Sequence, residues 1–122
     1  MEKDIISAAS FYKQSYFFNP DYADLPADVQ KELRAIAAVV AEKTRGIVCV
    51  GFTKVSNVWQ VYIEASSAEE DMDYDEINAR AVVDETIKAK AEFFKSLSEW
   101  YGLFKTEDGK RKKDEFLKGL PL

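Results

Sequence analysis

Asp71-Met72-Asp73-Tyr74-Asp75 places three carboxylates at alternate positions, the way a calcium loop begins. Such a loop needs glycine at its sixth position for a sharp turn and a bidentate glutamate at its twelfth. Glu76 and Val82 stand there instead, so the run reads as acids at a helix N-terminus, where the dipole favours them. The same residues match the D-x-D opening of phosphoryl-transferring aspartate enzymes. That chemistry places its first aspartate at the end of a buried apolar strand in a βαβ fold. Here Ser66-Ser67-Ala68-Glu69-Glu70 precedes it.

Other candidates fail on their chemistry. Cys49 lies in an apolar run with no basic neighbour, and the chain has no histidine to activate it, so it reads as a buried structural thiol. Without histidine the usual general base, metal ligand and pH switch are also gone. Glu64, Glu69, Glu70, Asp84 and Glu85 supply carboxylates, but no pair has a spacing that singles it out. There is no glycine-rich phosphate loop and no G-x-S-x-G elbow. Lys110-Arg111-Lys112-Lys113 is basic, yet no aromatic residue interleaves it to stack on bases, and it reads as a solvated face. The sequence predicts no catalytic residue, no metal and no cofactor.

The bulk properties agree. The 122 residues suit one domain spanning 1–122, with a core over about 4–104. A single cysteine rules out an intrachain disulfide. A net charge of −5 repels phosphate backbones, so nucleic acid is not an expected partner. The longest apolar stretch, Ala35 to Ala41, falls far short of the ~20 residues that span a bilayer. No basic region followed by an apolar run opens the chain, so no signal peptide is expected and cytoplasm is the predicted compartment.

The elements that must position any site follow from periodicity. Ile5, Ile6, Ala9, Tyr12 and Tyr16 recur at helical spacing and predict a first helix from Asp4 to about Tyr16. Asn19-Pro20 predicts a turn. Val29, Leu33, Ile36 and Val40 make the stripe of a second helix with Pro26 in its first turn and Gly46 ending it. Ile47 to Phe52 is a β-branched run apolar on both faces, and Trp59, Val61 and Ile63 alternate with Gln60, Tyr62 and Glu64. These two runs predict a hairpin turning at Ser56-Asn57. Asp73 with Glu76 has capping-box spacing, and from Ile77 an apolar stripe continues to Phe104. That predicts one long helix of roughly 28 residues and about 40 Å. Residues 105–122 read as a short terminal helix or tail.

Tyr16-Phe17-Phe18-Asn19-Pro20, then Leu25-Pro26, then a helix ending in Gly46-Ile47-Val48 and a hairpin into an acidic stretch, resembles a family of small uncharacterised cytosolic proteins of Firmicutes. The likeness covers most of residues 12 to 104. It implies no activity and carries over no site residues.

The predicted fold is therefore α+β: two N-terminal helices, an antiparallel β-hairpin, a long C-terminal helix and a short terminal helix or tail. A lone hairpin is marginal and leaves two unpaired edges. Pairing of hairpins from two chains would cure both, and a homodimer is the predicted state. The predicted function is a non-enzymatic interaction or adaptor protein, with another protein as a further possible partner and no membrane. The alternative is a small-molecule site between the N-terminal aromatics (Phe11, Tyr12, Tyr16, Phe17, Phe18, Tyr22) and the long helix. Trp59, Tyr62 and Tyr101 are the residues expected at an interface or pocket, by type and placement.

Overall fold

A computed structural model describes residues 3–68 and 71–105. The chain opens with β1 (Lys3–Ser10) and β2 (Ser15–Phe18), and a 3-10 turn (Pro20–Tyr22) leads to α1 (Ala27–Thr44). Then come β3 (Ile47–Val55), β4 (Val58–Ser66), α2 (Glu76–Ala89) and α3 (Ala91–Phe104). The four strands form one antiparallel sheet in the order β2-β1-β3-β4.

The α+β class holds, but the predicted element order does not. The first predicted helix is the β1–β2 hairpin. Its alternation is broken by a bulge between Ile5 and Ser7, so the consecutive residues Ile6 and Ser7 are both fully buried. That extra residue shifts the apolar positions from a period of two towards the three-and-four spacing of a helix. Asn19 holds the bulge: its backbone N–H donates to the Ile6 carbonyl (2.8 Å) and its side-chain amide to the Ile5 carbonyl (2.8 Å). The chain reverses through Phe11–Gln14, with Gln14 in the left-handed region at φ 50°. Asn19-Pro20 does form the predicted turn, as the cap and first residue of the 3-10 segment.

The second correction concerns the long C-terminal helix, which is two helices that part at Lys90 (φ −108°, ψ 18°). No glycine or proline marks the break. The apolar stripe runs through it because both halves pack towards the same core, so periodicity alone does not reveal the joint. Two smaller features also move. The left-handed residue ending α1 is Arg45, not Gly46. Gly46 is needed for close approach, since a Cβ there would lie 2.6 Å from the Ser66 carbonyl oxygen and 2.9 Å from the Tyr74 ring. The cap of α2 is Asp75, which accepts from the Asn78 N–H at 3.0 Å, rather than Asp73. The predicted terminal helix or tail and the basic run at 110–113 lie outside the described residues.

The predicted hairpin is present as β3–β4. Ser56 and Asn57 both take positive φ (49° and 66°), the primed turn whose twist matches the strands. It is not alone, because β1 pairs along β3 from Lys3 to Ser10. The unpaired-hairpin reason for pairing edges between two chains is thereby removed.

The core lies between one face of the sheet and the helices. Val48, Val50 and Phe52 of β3 meet Leu33, Ile36, Ala37 and Val40 of α1 and Phe94, Leu97 and Tyr101 of α3. At ~1.5–3 kcal/mol for each large apolar side chain buried, this layer is the main source of stability. Ser7 is buried there too, and its hydroxyl donates to the Leu33 carbonyl (3.2 Å), tying β1 to α1.

One polar knot sits in that core. The Asp4 carboxylate accepts from the Tyr22 hydroxyl and, at 3.2 Å, from the Tyr101 hydroxyl. Tyr101 stacks on Phe52 with ring centroids 4.1 Å apart. Burial, reinforced by the bond to Asp4, pushes the Tyr22 phenol far above its ordinary range. The raised value means that stability from neutral Tyr22 is complete below pH 10 and falls once the unfolded chain can ionise and the folded one cannot. Urea unfolding between pH 8 and 11 will show a loss of stability above about pH 10. The Tyr22→Phe protein will lose about 1 kcal/mol at pH 8 and show a shallower alkaline decline; an unchanged slope would remove Tyr22 from this role.

Candidate functional site

The acidic run at 71–75 is used up in local structure. Asp71 accepts from the Tyr12 hydroxyl at 2.5 Å through one oxygen and from the Asp73 N–H at 3.0 Å through the other, and Asp75 caps α2. Among the described residues no group of three or more potential ligands could hold a metal ion. The Cys49 thiol is pushed up by burial, with the Glu64 carboxylate adding in the same direction, the reverse of what a nucleophile requires. Glu64 itself is paired with Lys3 at 3.4 Å.

The aromatic residues expected to line one pocket go to separate places. Tyr22 is 1% exposed in the core and packs on Phe52 and Trp100. Phe18 lies under the Arg34 guanidinium, while Phe11 and Tyr12 sit edge to face at the first hairpin turn. Tyr22 meets α3 through Trp100, the two rings tilted with centroids 6.3 Å apart. Of the three residues singled out by type, the structure brings two together: Trp59 and Tyr101 touch at 4.7 Å, on the helix side of the sheet. Tyr62, three places along β4 from Trp59, faces the other way.

Among the described residues, that other face carries an apolar surface that α1, α2 and α3 do not cross. Strand register fixes its rows. Phe17, Ala8, Cys49 and Glu64 run across all four strands, and Ile5, Gly51 and Tyr62 run beside them. Ile47 and Val55 lie further along β3, and Val58 lies opposite Val55 on β4. Ile5 is 40% exposed, Phe17 50% and Val58 56%. Polar groups rim the patch: the Lys3 ammonium lies 5.1 Å from the centre of the Tyr62 ring and reaches Glu64. β3 carried the signal for this surface, being apolar on both faces. One face is the helix core, and the other faces outward. Ile5 and Phe17 were not singled out because the stretch around them was assigned to a helix.

Gly51 makes the patch flat. A Cβ there would lie 2.4 Å from the Asp4 carbonyl oxygen and 2.9 Å from the Tyr62 ring, which lies across the glycine. A backbone atom cannot rotate away as a side chain can. Gly51→Ala will therefore cost about 3 kcal/mol, read as a lower urea midpoint, while Gly102→Ala, with open space around its Cβ, will leave the midpoint within about 0.5 kcal/mol of the parent.

No helix among the described residues is long and apolar enough to cross a membrane. No curated protein and no solved structure matches the chain. A family of unknown function, DUF6145, matches residues 3–109. The earlier resemblance thus narrows to a family without an assigned activity and with wider coverage than 12–104, and the chain belongs to the DUF6145 family.

Proposed function

We propose that this protein is a non-enzymatic interaction protein that works as a homodimer, with the helix-free face of the sheet stacked on the same face of a second copy. The observation that carries the reading is the two-sided apolar character of β3 in a sheet with described helices on one face only. Strands apolar on both faces belong in sheets covered on both. The strands are eight, four, nine and nine residues long. At ~3.3 Å per residue and ~4.8 Å between strands they present about 450 Å² in projection. Two stacked copies would bury on the order of 1,000 Å², the lower limit for a specific interface. Sheets pack this way about 10 Å apart in β-sandwiches. Face-to-face stacking replaces the edge-to-edge pairing that a lone hairpin required.

Light scattering after size exclusion at about 50 µM will give the mass of a dimer. Phe17→Lys places a charge on a half-exposed position and will shift the mass to that of a monomer, as will Tyr62→Ala more weakly, with circular dichroism unchanged. A monomer at every concentration for the parent chain would sink the proposal.

A second reading, small-molecule binding, draws on the cleft of about 340 Å³ between α1 and α2, a ligand-sized space. Ile36, Val39, Val40 and Val82 give it an apolar lining, and the Lys90–Glu32 ion pair closes one side. A thermal-shift screen of small apolar acids and amines tests it. A stabilising compound should lose its effect in Val39→Glu.

A further inference from the structure

The two edges of the sheet are built differently. β2 is four residues long and runs into Asn19-Pro20, so little backbone is offered there. β4 is a nine-residue edge with no proline, no lysine and no bulge in its pairing with β3. Proteins blunt long edges with such devices because an edge is a template for another strand. In a two-residue hairpin the residues flanking the turn, here Val55 and Val58, exchange both ladder bonds. Alternation along β4 then turns the N–H and C=O groups of Ile63 and Ala65 away from β3 and towards the side where no strand among the described residues pairs.

That side opens into a groove of about 660 Å³ between β4 and α2. Five consecutive residues, Ile63 to Ser67, form one bank, and one face of α2 forms the other. Val83 and Ile87 give the helix bank an apolar floor. Around them stand three carboxylates (Glu64, Glu76 and Asp84) and one guanidinium, Arg80. The lining carries a net charge of −2, with Glu64 also held by Lys3 at 3.4 Å; in a chain of net charge −5 this disfavours acidic guests and favours basic ones.

We infer that the β4–α2 groove is a docking site for an extended segment of another polypeptide with alternating apolar and basic side chains, bound as a fifth strand along β4. The guest backbone would complete the ladder at Ile63 and Ala65. Its apolar side chains would point to Val83 and Ile87 on the helix side, and its basic ones, on alternate positions, to Glu64 on the opposite face of the sheet. A seat five residues long spans about 17 Å. Glu64 also ends a row of the stacked sheet face, so the two sites meet at that residue, but the groove itself does not need the dimer.

The test is fluorescence anisotropy with a labelled nine-residue peptide of alternating valine and lysine, capped at both ends. The comparators are the valine–glutamate peptide and the valine–lysine peptide with proline at its centre. The measurement is made on the parent chain and on the Phe17→Lys protein, so that the dimer's failure and the groove's failure are separable. The lysine peptide will bind at least tenfold tighter than either comparator, with affinity falling as salt rises to 0.5 M. Asp84→Lys, at an exposed position, will weaken it by about tenfold. Amide exchange followed by NMR will show new protection at Ile63 and Ala65. Equal binding of the glutamate peptide, no saturation by 1 mM, or protection confined to Cys49 and its row would overturn the inference.

Discussion

Strand β1 gives both edges of its backbone to other strands, β2 on one side and β3 on the other, and the partner in β3 lies some forty residues downstream. The side chains of β1 then serve two layers. Asp4 and Ser7 turn into the helix side, where one ties Tyr22 and Tyr101 and the other ties Leu33. Ile5 and Ala8 turn outward, where they build the apolar patch with Phe17 and Cys49. The bulge at Ile6 makes this division possible, because it adds a core residue without reversing the faces of those that follow. Asn19 supplies the donors that keep the bulged carbonyls satisfied. Without this seating the β3–β4 pair would be the marginal ribbon that small sheets avoid.

The parts of the fold that could be read from the sequence are those where one physical signal acts alone. Trp59, Val61 and Ile63 alternate cleanly because β4 has one core face. The α1 stripe stands out because nothing competes with its period. The N-terminal strand was hidden by the bulge and by Ala8 and Ala9, which have little preference for strands. The joint at Lys90 was hidden for the opposite reason: both helices obey one continuous stripe, and the residue that separates them is a good helix former. A backbone break without glycine or proline leaves no mark on periodicity.

The candidate surface was legible only in part. Apolar residues on both faces of β3 pointed to two burial partners, and Tyr62 lies half-buried on the face that the described helices do not cover. Trp59 and Tyr101 were grouped with it by residue type, yet they are core packing on the other side of the sheet. Residue type reports appetite for contact, and only strand register says which side of the sheet meets it. The groove beside β4 was beyond reach, since it depends on α2 and β4 lying together across the acidic link.

Helix α2 is held more lightly than its neighbours. Ala79 alone among its 14 residues is fully buried, and Ile77 is nearly bare. It joins the rest through the Asn78 amide on the Lys43 carbonyl, a few half-covered valines and the hinge at Lys90. Local opening draws on the elements with least buried area, so α2 is the helix that would yield first. One bank of the groove is an anchored strand and the other a lightly tethered helix, so a guest of greater girth would be accommodated by the helix while the sheet beneath kept its shape.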